Sequence, residues 1–213
     1  GPPGDYGAVA MAGDLAELIG KLGLTKPAVL GHSMGAVTAL TLAALHPAVP
    51  GRILLEDPPP MWLPPPPTPP APAEPARTPR SNPMRDWIVG AKRKTREELI
   101  AGERASNPGW QEAEFGPWAD SKLRMSFNVL ALMDAGGSDW ADLSKRLTAI
   151  SCPTLLITGD NARGAIVSAE GAEALQAIVP QTQVAHVGNA GHSIRRDQFA
   201  AYLAAIQPFL AVQ

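Results

Sequence analysis

The sequence predicts an α/β protein built on a parallel sheet with helices on both faces. Three observations carry this. Short apolar runs alternate along the chain with segments whose apolar residues recur at helical spacing. One run, Thr154-Leu155-Leu156-Ile157-Thr158, is continuously apolar between its threonines, as expected of a strand covered on both sides. A third, Ala28-Val29-Leu30, leads through Gly31-His32-Ser33-Met34-Gly35 into the small-residue helical run Ala36 to Leu45. That is strand, sharp turn and helix, with a serine at the apex.

The chain of 213 residues is long enough to bury a core. Its formal net charge of −2 excludes a broad basic surface for nucleic acid or anionic membrane. No apolar run reaches the roughly 18–20 residues of a membrane span. The single cysteine, Cys152, precludes an internal disulfide and leaves no cysteine cluster for a metal, and core packing is its expected role. A cytoplasmic setting is expected on the same ground.

In chain order, Gly1 to Gly7 reads as loop. Val9, Met11, Leu15, Leu18, Ile19 and Leu22 then form one face of a helix ending near Gly23. Pro27 introduces the strand before the serine turn. Ser33 is expected in a strained backbone conformation that lifts its hydroxyl from the sheet edge. Glycine is expected at 31 and 35 because a Cβ there would collide with neighbouring backbone. The helix after the turn aims its first N–H groups at the serine, and the Met34 N–H is placed to donate to a developing oxyanion. His46-Pro47 stops that helix. Ile53-Leu54-Leu55 is a short strand with Glu56-Asp57 at its carboxyl end, and the proline-rich stretch Pro58 to Pro79 reads as extended and coreless. Helical signals return from Met84 to Ser106 and from Gln111 to Met133, with a short helix from Trp140 to Leu147. After the Thr154 strand come a helix from Ser168 to Val179, a last strand from Gln183 to Val187, a glycine-rich loop to His192 and a closing helix from Gln198 to Leu210.

Val29 to Leu45, Pro153 to Gly159 and Gly188 to His192 together resemble the α/β-hydrolase family, serine ester or lactone hydrolase type. The resemblance implies a parallel-sheet core, 1–57 and 148–213, with a proline-rich linker and helical cap, 58–147, inserted after the sixth family strand. It also implies further strands before the serine turn, one of them followed by a loop with a second oxyanion donor. Only about 27 residues precede the strand here, so the chain is expected to be N-terminally incomplete.

The same resemblance implies a serine, acid, histidine order. Among four histidines, His192 follows the last strand in Gly188-Asn189-Ala190-Gly191 and is the expected base. His32 is expected beside the serine, His46 on the surface and His186 buried in its strand. The acid stays open. In most relatives it lies three residues past the glycine ending the seventh strand, but here Gly159 leads to Ala162. Relatives such as haloalkane dehalogenases and zearalenone-type lactonases carry it after the sixth strand, and eleven residues beyond His46 lies Asp57. Asp57 is placed first, Asp160 second and Glu56, which faces the other side of a regular strand, third.

The expected catalytic set is therefore Ser33, His192 and Asp57, with Met34 as oxyanion donor. His32, Trp87, Trp118 and Met125 are candidate pocket residues, although core packing explains each aromatic equally well. The expected reaction is transfer of a small, fairly apolar acyl group from an ester or lactone to water, through an acyl-enzyme, with no metal or other cofactor. Carbon–carbon hydrolase, amidase and perhydrolase chemistry stay open, as does a ligand-binding module that turns over slowly or not at all, which Ala162 favours. The expected partners are a small-molecule substrate and water.

Overall fold

The computed structural model describes residues 6–64, 83–130 and 143–211. Contacts divide the chain into two units, one comprising Asp5–Pro64 and Gly137–Gln213, the other centred on Pro65–Gly136.

Among the described residues the first unit contains a sheet of four parallel strands, β1 (Ala28–His32), β2 (Arg52–Glu56), β3 (Thr154–Thr158) and β4 (Thr182–His186), in that order. Val29 pairs with Ile53, Leu54 with Leu155 and Leu156 with Val184. Alternation along the strands sorts their side chains into two layers. Ile53, Leu55 and Leu156 pack under α2 (Met34–Leu45) and α6 (Ala169–Ile178), while Leu54, Leu155 and Ile157 pack under α8 (Phe199–Ala211). All five residues of β3 are buried, which explains its unbroken apolar run. α2 buries residues all round because α1 (Ala8–Lys21) covers its outer side, with Ala12 and Ile19 against Leu42. α1 ends at Gly23, φ 64°, where Leu24 N–H donates to the Ile19 carbonyl and Gly23 N–H to that of Gly20. Only glycine takes that left-handed corner without strain.

Met61 and Trp62, inside the proline-rich stretch, are buried in the α2-side core, and Trp62 Nε1 donates to the Gly171 carbonyl at 2.7 Å. Leu143 and Leu147 join the same core. The stretch thus begins as part of the sheet unit rather than as coreless linker; its continuation, 65–82, lies outside the described residues, as do residues 140–142 of the helix expected from Trp140 to Leu147, whose described end runs into a 3₁₀ turn at Leu147–Ala149.

In the second unit the expected long helix from Met84 is two, α3 (Pro83–Ala91) and α4 (Arg96–Ser106). Thr95 and Glu98 form a reciprocal capping box that starts α4 afresh. α5 (Glu112–Arg124) stops well short of Met133, because Met125 turns extended before a 3₁₀ turn at Phe127–Leu130. Ala91, Leu99 and Ala119 form one buried cluster of this unit, and Phe115, also buried, stacks on Trp110. No described helix is long and apolar enough to cross a membrane.

Candidate active site

Parallel strands place the loops that follow them along one edge, and every candidate residue of the sheet unit lies in or beside such a loop. Ser33 follows β1 with φ 54° and ψ −121°, a conformation disfavoured for a side-chain-bearing residue. Its N–H donates to the Glu56 carbonyl at 2.9 Å, carrying the β1–β2 ladder one residue past β1. The turn that follows is so tight that a Cβ on Gly31 would stand 2.1 Å from the Gly35 carbonyl oxygen. Gly35 itself corrects the expectation, since a Cβ there meets nothing within 4 Å. The Ser33 side chain does not cap α2, so its hydroxyl is not committed to the helix. Met34, exposed, opens that helix.

Asp57 follows β2, also at positive φ (43°), and is fully buried. Its carboxylate accepts from the backbone N–H of Ile166 at 2.8 Å and of Val167 at 2.9 Å. Asp57 Oδ2 lies 2.7 Å from His192 Nδ1. A carboxylate bonded at Nδ1 calls for a proton there, which leaves Nε2 of a neutral His192 ring as an acceptor. The His192 carbonyl is 2.8 Å from His32 Nε2, so the His32 proton sits on Nε2. The two rings lie 4.6 Å apart between centroids. Burial, foremost, lowers the His32 pKa to about 4, so His32 is neutral near pH 7.

The other two carboxylates face elsewhere. Asp160 accepts from the Asn189 N–H at 2.7 Å and pairs with His186 Nε2 at 3.0 Å, while the Thr158 hydroxyl lies 3.1 Å from His186 Nδ1. His186 is exposed rather than buried as expected, and its partner is Asp160. Glu56, fully buried, accepts at 3.0 Å from both the backbone N–H and the guanidinium of Arg195. The structure thus brings Asp57 to the His192 ring, Asp160 to His186 and Glu56 to Arg195. Trp87 and Trp118 belong to the helical unit, where both flank Lys122 at 5.2 Å and line a cavity of about 350 Å³. Met125 caps the end of α5. Among the described residues no group of three His, Cys, Asp or Glu side chains could hold a metal ion.

The Ile166 and Val167 N–H groups, Arg195 and the one-turn helix α7 (Ile194–Asp197) were not legible beforehand. Backbone donors carry no residue-type signal, and a four-residue helix carries no period.

A histidine held by a buried carboxylate, its ring near that of His32, the residue before a strained serine between strand and helix, is the local architecture of one large family. The chain belongs to the α/β-hydrolases. The sequence pattern of the alpha/beta hydrolase family matches residues 1–205. The N-formylmaleamate deformylase of Pseudomonas putida is 30% identical over 214 aligned positions, spanning 99% of this chain and 73% of that one. A putative carbamate hydrolase of Klebsiella pneumoniae is 27% identical, over 90% of this chain and 68% of its own length. Among solved structures, an N-formylmaleamic acid deformylase from Pseudomonas putida superposes with a TM-score of 0.71 at 25% identity, covering 97% of this chain and 75% of that one. An esterase from Exiguobacterium antarcticum shares the fold at a TM-score of 0.65 and 18% identity, over 99% and 76%. The α/β-hydrolase described here is a hydrolytic enzyme of that family, with water as co-substrate.

Proposed function

We propose that this α/β-hydrolase cleaves a carboxylic ester or lactone of a small, fairly apolar substrate through an acyl-enzyme, with Ser33 as nucleophile, His192 as base and Asp57 as the acid that orients it. The observation that carries the reading is the 2.7 Å contact between His192 Nδ1 and the buried carboxylate of Asp57. Two backbone N–H groups already hold that carboxylate, so its position is fixed when it receives the imidazole. His192 Nε2 then takes the Ser33 proton as the hydroxyl oxygen attacks the substrate carbonyl. The tetrahedral oxyanion is steadied by the Met34 N–H at the start of α2. The imidazolium, stabilised by Asp57, returns its proton to the leaving group, and acyl-Ser33 remains. A water deprotonated by the same nitrogen hydrolyses it and restores the serine.

Cleavage of a carbon–nitrogen acyl bond on the same three residues is a second reading, favoured by the similarity to the deformylase and the carbamate hydrolase. A panel of p-nitrophenyl esters, a γ-lactone and N-formyl amides, run with and without methanol, decides between them. The ester reading expects burst release of p-nitrophenol and a methyl ester in methanol, both lost in Ser33→Ala. Preference for N-formyl substrates by more than about tenfold in kcat/KM, a difference beyond about 1.4 kcal/mol, selects the second reading. Turnover that survives Ser33→Ala overturns both, and ligand binding without turnover returns the chain to the binding-module class.

A further inference from the structure

Glu56 and Asp57 are consecutive, acidic and fully buried, yet only Asp57 reaches the His192 ring. Burying a carboxylate is expensive, and an apolar side chain at 56, directly after Ile53, Leu54 and Leu55, would be the more stabilising choice. The carboxylate is used instead on Arg195, three residues past His192. Oε1 accepts from the Arg195 backbone N–H and Oε2 from its guanidinium, each at 3.0 Å. That backbone N–H lies in α7, whose Ile194 is fully buried and whose Asp197 accepts from the Gly191 N–H at 2.7 Å, just ahead of His192. Tyr202, in α8, has a buried hydroxyl without a hydrogen-bond partner, and the described hydrogen bonds of the Glu56 carboxylate both come from Arg195.

We infer that Glu56 is a positioning residue for the proposed reaction: with Arg195 it fixes the segment carrying His192, from the side of β2 opposite Asp57. The inference rests on the Ser33–His192–Asp57 reading. The last residue of β2 and the one after it hold one loop at two points, backbone at 195 and ring at 192. Asp57 sets the imidazole's tautomer; upstream of the ring the main chain is held by Asp160 at Asn189 and Ala190, and downstream of it the Glu56–Arg195 pair supplies the hold. A displacement of about 1 Å at a general base is enough to cost roughly a hundredfold in rate.

The test compares Glu56→Gln, Arg195→Ala and Arg195→Lys with the unaltered chain. Glu56→Gln keeps the shape and removes the charge, and Arg195→Ala removes the guanidinium. Both are expected to lower kcat by about 10–100-fold with KM within about twofold, and to slow Ser33 labelling by diisopropyl fluorophosphate in parallel. The His192 Nδ1 proton resonance, assigned by its loss in His192→Ala, is expected to broaden or vanish in both. Arg195→Lys retains the cation and the backbone donor and is expected to recover most of the rate. An unchanged kcat and an unchanged His192 resonance in folded Glu56→Gln overturn the proposal, and so does a fall in kcat that only tracks loss of folded protein by circular dichroism. Should Glu56→Gln not fold, the Arg195 pair decides alone, since that side chain is 30% exposed and tolerates change. If Ser33→Ala retains turnover the Ser33 nucleophile reading fails, and the His192 resonance still decides on Glu56.

Discussion

At Gly31 the backbone of the serine turn leaves no room for a methyl group. A Cβ would meet the Gly35 carbonyl oxygen at 2.1 Å and the Ala36 nitrogen at 2.5 Å, and neither is a side chain that can swing aside. Gly31→Ala is therefore expected to destabilise by about 3 kcal/mol or more. Gly35→Ala, in open space on a helix, is expected to stabilise by about 0.5–1 kcal/mol. Urea unfolding of the two variants should show shifts of opposite sign. His32 contributes to the acid dependence of stability. With a folded pKa near 4 against an ordinary 6.5, the unfolded chain takes up the proton first, so stability is present above pH 6.5 and is lost as pH falls toward 4. The loss is at most about 3 kcal/mol, less what solvent reaching the ring screens. His32→Gln, whose amide nitrogen can still donate to the His192 carbonyl, is expected to flatten that part of the curve between pH 6.5 and 4.5.

At the scale of elements, two acidic residues end neighbouring strands, and their partners differ. Asp57, after β2, holds His192 and two backbone N–H groups. Asp160, after β3, holds the Asn189 N–H and His186, and its own N–H donates to the Ala190 carbonyl at 2.7 Å. It secures the approach to His192 without touching the ring. Asp57→Asn is expected to lower kcat by about 10³–10⁴. Asp160→Asn is expected to cost less than about tenfold, because its backbone bond to the loop survives. Steady-state kinetics on the same ester decide, and a larger loss in Asp160→Asn would reverse the assignment. Capping works by the same local logic: Thr95 and Glu98 restart a helix where periodicity alone had read through.

At the scale of the molecule the candidate site lies at the ends of the sheet unit's parallel strands, so the sheet's packing sets its geometry. Leu156, fully buried at the middle of β3, supports β2 on one side and β4 on the other. Leu156→Ala is expected to lower stability by about 2–5 kcal/mol, read from the denaturation midpoint, through lost contacts and the cavity left behind. At temperatures where the variant remains folded, activity should fall far less than in Asp57→Asn, because no partner of His192 has been removed.

Local signals in the chain alone determined the strands, most helices, the serine turn and the histidine loop. Each rests on contacts between near neighbours: apolar period, a proline or glycine stop, or the run Gly31 to Gly35. Family likeness then pointed to Ser33 and His192 together. Only the tertiary structure decided which carboxylate meets the imidazole, because Glu56, Asp57 and Asp160 all stand at strand ends, and strand alternation plus the path of the 159–167 loop sends each to a different partner. Burial of Met61 and Trp62, pairing of His186 with Asp160 and the Glu56–Arg195 clamp were likewise decided by distant segments, whose approach no local pattern encodes.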